Sequence, residues 1–243
     1  MNRKWMFPVV AVFAILVTGC ATTGGSSDIP KGFITKTMDV GGVSRAYVVY
    51  VPEDYTPAKE WPLVVFLHGM GERGSDGLIQ SEVGIGTAIR RHEDWFPCIV
   101  VMPQCPKDKI WTSAFDHIDA AIQYAKADYR IDESQILLTG LSMGGFGTWA
   151  YGALHADTLA ALMPVCGGGQ EEDAPALAKV PIWAFHGAVD SVVSADESRS
   201  MVEAVKAAGG EVRYTEYPEV DHNSWDRAYG DADAIAWLLA QQK

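Results

Sequence analysis

The chain is sparing with cysteine and with positive charge. Its four cysteines, Cys20, Cys98, Cys105 and Cys166, show none of the paired spacing that zinc or iron–sulfur centres require, so no metal is implied. Nineteen Lys and Arg stand against 31 Asp and Glu, a formal charge of −12. Such an acidic surface disfavours nucleic acid and gives no electrostatic help toward anionic lipid. No internal repeat or low-complexity segment follows residue 27, which sets repeat architectures aside. Residues 1–19 contain no acid at all.

Those first 19 residues instead carry Arg3 and Lys4 followed by an apolar run from Trp5 to Val17. This is the pattern of a secretory signal peptide, too short and wrongly flanked for a stable transmembrane span. It ends in Val17-Thr18-Gly19-Cys20, which resembles the bacterial lipobox, so Cys20 is expected to become the lipidated N-terminus. Residues 20–32 then form the anchor and a flexible tether, with Thr22 to Ser27 polar and small. The expectation is an exported, membrane-anchored lipoprotein that meets the membrane through its N-terminal lipid only. Residues 33–243 fit one sizeable domain. Disulfides persist in an exported chain, but three thiols beyond Cys20 cannot all pair with one another.

Short apolar runs alternate with helical patterns along this domain, the signature of an α/β protein with a mainly parallel sheet. Strands are expected at Leu63 to Leu67, Cys98 to Met102, Ile136 to Thr139, Ala160 to Val165, Ile182 to Phe185 and Val212 to Tyr217. Phe33 to Met38 and Ser44 to Val51, joined through Gly41-Gly42, read as an antiparallel hairpin. Helices are expected over Ala114 to Tyr129, Ser142 to His155, Ala195 to Ala208 and Asp231 to Gln241.

One turn in this series carries chemistry. Gly140-Leu141-Ser142-Met143-Gly144 follows an apolar strand and precedes a small-residue helix, the setting in which a G-x-S-x-G turn exposes a serine hydroxyl beside a helix N-terminus. A serine is a poor nucleophile by itself. It needs a histidine base, which in turn needs a carboxylate to fix its tautomer. Asp190 follows the Ile182 strand and His222 follows the Val212 strand, so both lie at the sheet edge that presents Ser142. Asp196 and Asp221 compete for the role of acid, but Asp196 falls in a helix start where an acid is expected anyway. His222 is the one histidine after Asp190, and His186 reads as a packed residue at a strand end. Two backbone N–H donors would stabilise an oxyanion: that of Met143, next to Ser142, and that of Met70 in the loop His68-Gly69-Met70-Gly71. Glu72 and Arg73 read as an ion pair ordering this loop.

Together these segments resemble an α/β-hydrolase of the secreted esterase group labelled predicted peptidase or polyhydroxybutyrate-depolymerase-like, related to feruloyl and acetyl xylan esterases. The resemblance runs from about Phe33 to Leu239, through Arg45 to Pro52, His68 to Gly74, Pro103 to Pro106, Thr139 to Trp149, His186 to Asp190 and His222 to Trp225. It implies an α/β-hydrolase fold, with a mostly parallel central sheet flanked by helices and a Ser142-His222-Asp190 triad. It also implies hydrolysis of carboxylic esters without cofactors. Many enzymes of this fold insert a cap before the strand bearing the acid, whereas the interval from Cys166 to Val180 has no room for one. An open site suits an ester projecting from a polymer, such as acetyl or feruloyl groups on polysaccharide, or a short polyester. Trp111 and Trp225 are candidates for its rim, and equally for core packing. A serine peptidase of the same fold and a non-catalytic binding lipoprotein are the rival expectations.

Overall fold

The computed structural model describes residues 29–243, so the expected signal peptide, Cys20 and most of the tether lie outside the described residues. Among the described residues, no helix is long and apolar enough to cross a membrane. The strands are β1 (Gly32–Val40), β2 (Val43–Val51), β3 (Trp61–Leu67), β4 (Ile99–Pro103), β5 (Ile131–Leu141), β6 (Ala161–Val165), β7 (Ile182–Gly187) and β8 (Val212–Tyr217). They form one sheet in the order β1-β2-β4-β3-β5-β6-β7-β8. β1 pairs antiparallel with β2, and β2 with β4, while every other pairing is parallel.

The hairpin closes as expected. Val40 faces Val43, leaving Gly41 and Gly42 as a two-residue turn with φ of +61° and +83°. Positive φ at both central positions gives the turn whose twist matches that of the strands, and glycine adopts it without strain.

The central strands are apolar at consecutive positions because the sheet is covered on both faces, and neighbouring residues go to opposite sides. Val49, Val65, Val101 and Leu138 join one core cluster, and Val48, Val64, Val100 and Leu137 the other. The first is closed by α2 (Phe115–Asp128), α3 (Met143–Leu154), α4 (Ala174–Leu177) and α5 (Ala195–Ala207). The second is closed by α1 (Ile85–Arg91), α6 (Trp225–Tyr229) and α7 (Ala232–Leu239). On α2 the buried residues are His117, Ile118, Ala121, Ile122 and Ala125, one face at helical spacing. Among the described residues, side chains cap two α-helices: Ser194 accepts from Asp196 N–H before α5, and Asp231 accepts from Asp233 and Ala234 N–H before α7.

Two features place the site. The chain leaves β3 for β4 on one side and returns to β5 on the other, which opens a crevice at the carboxyl ends of the strands. Between β6 and β7 lie only a single turn, Glu171–Asp173, and the four-residue α4, so no cap covers that crevice.

Candidate active site

Ser142 stands alone between the last residue of β5 and the first of α3, with φ 52° and ψ −117°. Among the described residues it shares positive φ without being glycine only with Cys166. The strain is held by neighbours: Ser142 N–H donates to Val165 O at 2.9 Å, and Phe146 N–H donates to Ser142 O at 3.1 Å. The flanking glycines are required sterically. A Cβ on Gly140 would lie 2.4 Å from Gly144 O, and one on Gly144 would lie 1.9 Å from Leu67 O. Strand, turn and helix approach this closely only without side chains.

The sheet brings three of the expected residues together. Ser142 Oγ lies 2.9 Å from His222 Nε2, and His222 Nδ1 lies 2.8 Å from Asp190 Oδ2. A carboxylate only accepts, so Nδ1–H donates to Asp190 and Nε2 is free to accept the Ser142 hydroxyl. The Asp190 side chain is fully enclosed. Its Oδ1 accepts from the N–H groups of Val192 at 2.8 Å and Val193 at 2.9 Å. Burial by itself would raise this carboxyl, but the donors His222, Val193 and Val192 outweigh it and hold Asp190 below the ordinary carboxylate range.

The competing acids are occupied elsewhere. Asp221 accepts from Ser191 N–H and its own neighbour's N–H, His222, which ties the two loops together. Asp196 pairs with Arg199 at 2.6 Å.

Ser142 and His222 open onto a cleft of about 650 Å³. Its walls are largely apolar, with Met70, Val83, Ile110, Met143, Phe146 and Val192 among them. Met70 and Met143 each begin a helical turn, so neither N–H has an intrahelical acceptor. The loop of Met70 runs close to the serine, since a Cβ on Gly69 would be 3.8 Å from Ser142 Cβ. Trp225 is half-buried on the cleft wall, its ring edge-on to His222 at 5.4 Å.

One open choice is decided and one expectation corrected. Of rim and core, the two places expected for Trp111, the structure has the core: the residue is fully buried where it lines the cleft. Its indole N–H donates to His68 O at 2.9 Å, and it packs so tightly on α3 that a Cβ on Gly147 would come within 2.6 Å of its own Cβ. A tryptophan with a buried acceptor in reach belongs inside. Arg73 does not pair with Glu72, but donates to the carbonyls of Met70 and Lys109. Glu72 lines the cleft beside the loop, and burial raises its carboxyl.

Sequence reasoning overlooked Val192 and Val193, whose N–H groups grip Asp190, although an Asp followed two and three residues later by free N–H donors is a recognisable turn pattern. It also gave His186 no role toward the acid, though His186 precedes Asp190 by four residues and its Nε2 lies 3.2 Å from Asp190 Oδ2.

Cys98, Cys105 and Cys166 are all free and buried, and burial raises Cys105 to about 11 and Cys166 to about 12. Cys166, Asp190 and His222 put one ligand-type atom each within 4.8 Å of the others. A protonated thiol and an acid already taken by N–H donors make a poor donor set for a cation.

Comparison with known proteins agrees with this architecture. The family model of the dienelactone hydrolase family matches residues 96–240. A bifunctional acetylxylan esterase/xylanase of Neocallimastix patriciarum is 29% identical over 191 residues, 72% of this chain but 26% of that protein's length. The crystal structure of a thermostable esterase superposes with TM-score 0.78 at 36% identity, covering 87% of this chain and 63% of the other. A feruloyl esterase module from Clostridium thermocellum shares the fold, with TM-score 0.71 at 18% identity over 86% of this chain and 88% of its own. With a matched segment longer than half the chain, the protein has the α/β-hydrolase fold and belongs to the dienelactone hydrolase family.

Proposed function

We propose that this protein is a serine esterase in which Ser142 is the nucleophile, His222 the general base and Asp190 the residue that orients it. The observation that carries this reading is the continuous hydrogen-bonded line from Ser142 Oγ through His222 to Asp190 at the mouth of an apolar cleft. Ser142 Oγ attacks the ester carbonyl carbon while its proton passes to His222 Nε2. The carbonyl oxygen gains negative charge and is held by the N–H groups of Met70 and Met143. His222 then protonates the leaving alkoxide as the C–O bond breaks, leaving an acyl-Ser142. Water, deprotonated by His222, attacks this acyl group and releases the carboxylic acid, restoring Ser142. None of these steps calls for a cofactor.

The uncapped, apolar cleft supports small acyl groups whose alcohol side extends into solvent, including acetyl or feruloyl groups carried on polysaccharide and short polyesters. The similarity to proteins named acetylxylan esterase and feruloyl esterase supports the same class. The Cys20 lipobox supports export and attachment through an N-terminal lipid.

The test is hydrolysis of a p-nitrophenyl ester series of increasing acyl length, beside a matched peptide anilide, with Ser142→Ala as control. Ester turnover that falls with acyl length and vanishes in Ser142→Ala is the expected result. Faster turnover of the anilide would replace the esterase with a peptidase, and inactivity of the folded protein on every ester would leave a binding protein.

A further inference from the structure

His186, one residue before the end of β7, is fully buried and does not line the cleft, yet it reaches the acid of the proposed triad. Its Nε2 faces two groups that can only accept: Val193 O at 3.0 Å and Asp190 Oδ2 at 3.2 Å. Nε2 therefore carries the hydrogen. The Asp190 oxygen it meets is the same one that accepts from His222 Nδ1. Its other nitrogen, Nδ1, is then an acceptor 2.8 Å from Ser198 Oγ, whose single hydrogen has Nδ1 and Gly167 O, also at 2.8 Å, as its two possible acceptors. Ser198 is buried on α5 and Gly167 follows β6. A buried chain of polar groups thus runs from α5 through His186 to the carboxylate, with every link at hydrogen-bond distance.

A merely packed histidine would not need this arrangement. The carboxylate has two oxygens. Val192 and Val193 N–H groups hold Oδ1 and His222 Nδ1–H holds Oδ2, while His186 Nε2, hydrogen-bonded to Val193 O, stands 3.2 Å from that same Oδ2. Resting on the triad reading above, we propose that His186 is a positioning residue for ester hydrolysis: it holds Asp190 Oδ2 in line with His222 Nδ1 and draws off part of that oxygen's negative charge. Burial lowers the basicity of His186 itself, so it acts as a neutral donor.

The sign of its effect follows. Without the His186 N–H, Oδ2 keeps its full charge, and the Asp190–His222 pair holds a proton more strongly. The acid limb of kcat/KM then moves to higher pH. The other titratable groups around this network are Asp221, which accepts from the His222 N–H, the buried thiol of Cys166 beside Asp190, and Glu216, which sits opposite His186 on β8 and is paired with Arg199.

The experiment compares His186→Leu, His186→Gln and Ser198→Ala with the parent protein and Ser142→Ala, on a short p-nitrophenyl ester from pH 5 to 9. Glutamine places an N–H donor about where Nε2 stands; leucine has none. His186→Leu is expected to lower kcat about tenfold or more, with KM within about twofold and the acid limb raised by about half a pH unit. His186→Gln should recover kcat to within about threefold of the parent, and Ser198→Ala should lose about threefold with its limb displaced the same way. A folded His186→Leu with parental kcat and acid limb would overturn the proposal, as would a Gln variant as impaired as Leu. If His186→Leu does not fold, a Ser198→Ala variant with parental kcat and limb overturns it instead. An inactive parent, or an active Ser142→Ala, would refute the triad itself, which separates that failure from this one.

Discussion

Asp190→Asn tests the site most directly, because Asp190 accepts on both oxygens and asparagine accepts at only one of its two ends. Val192 and Val193 N–H groups hold Oδ1, while His222 Nδ1–H holds Oδ2 and His186 Nε2 stands 3.2 Å from it. Asparagine has two ways to fit. With its amide NH2 toward the backbone, two buried N–H groups lose their acceptor, at about 1–3 kcal/mol each. With its NH2 toward the imidazoles, the His186 N–H keeps Val193 O as its acceptor, while His222 moves its hydrogen from Nδ1 to Nε2 and accepts at Nδ1. The second arrangement costs less and is expected to win. It also leaves Ser142 facing an N–H instead of a lone pair, so the base is lost. A triad histidine in the wrong tautomer lowers kcat by about 10⁴, which sets the scale. Asp190 does not line the cleft, so KM should stay within about threefold. Stability should fall by about 1 kcal/mol, since no buried donor loses its last acceptor and only the charge-assisted strength of these bonds is given up. Steady-state kinetics on a short p-nitrophenyl ester and urea unfolding of the same preparation read both quantities. A folded Asp190→Asn protein that keeps more than about a tenth of the parental kcat would refute the assignment of Asp190 as the orienting acid.

Three further outcomes are expected. Gly144→Ala should cost about 3 kcal/mol or more in urea unfolding, because its Cβ meets the Leu67 carbonyl oxygen at 1.9 Å and the chain there is backbone on backbone; Gly71→Ala, with nothing within 4 Å, should be neutral to about 0.5 kcal/mol. His68 is held down to about 4 by burial, whereas the unfolded chain protonates it near 6.5, so the stability that its neutral form contributes is fully present above about pH 6.5 and lost as pH falls to about 4. That loss is about 3 kcal/mol, and it should be missing from the pH dependence of unfolding in His68→Asn. Ellman's reagent should find none of Cys98, Cys105 and Cys166 in the native protein and all three after denaturation, since each is buried and unpaired; one fast-reacting native thiol among them would contradict this burial.

Much of the fold could be read in the sequence because its signals are local. A Gly-Gly between alternating strands specifies a two-residue hairpin, and the observed register from Val40 opposite Val43 outward follows from it. Runs such as Leu63 to Leu67 are apolar at every position because each residue has a core cluster to enter on one face or the other. Where the signal is short, it fades. α1 has seven residues, α6 five and α4 four, too few turns for a periodic pattern, and all three owe their form to packing against the sheet. β5 extends back to Ile131 through Asp132, Glu133 and Ser134, which carry no apolar alternation; part of that extension is held by the pairing of Ile131 with Trp61.

The site divides in the same way. Ser142, Asp190 and His222 were legible because each follows a strand, and a parallel sheet delivers the ends of its strands to one edge whatever lies between them. What surrounds them was not, since burial depends on which side chains the third dimension brings close. Trp111 and Trp225 are alike in sequence, each one step beyond a polar loop, yet the first finds the His68 carbonyl and the glycine face of α3 and disappears into the core. The second packs against the other core cluster and stands perpendicular to His222, half-buried on the cleft wall. His186 makes the same point for chemistry. Four residues before an aspartate it could point anywhere, and it meets Asp190 only because Gly187 starts a turn that folds the chain back, with Asp190 N–H donating to Gly187 O at 3.3 Å. That turn cannot carry a side chain at its first position, for a Cβ on Gly187 would lie 2.2 Å from Val220 O and 2.4 Å from Asp221 O in the loop that bears His222. One glycine therefore allows the acid loop and the base loop to touch, and the spacing from His186 to Asp190 has meaning only in the presence of the second loop.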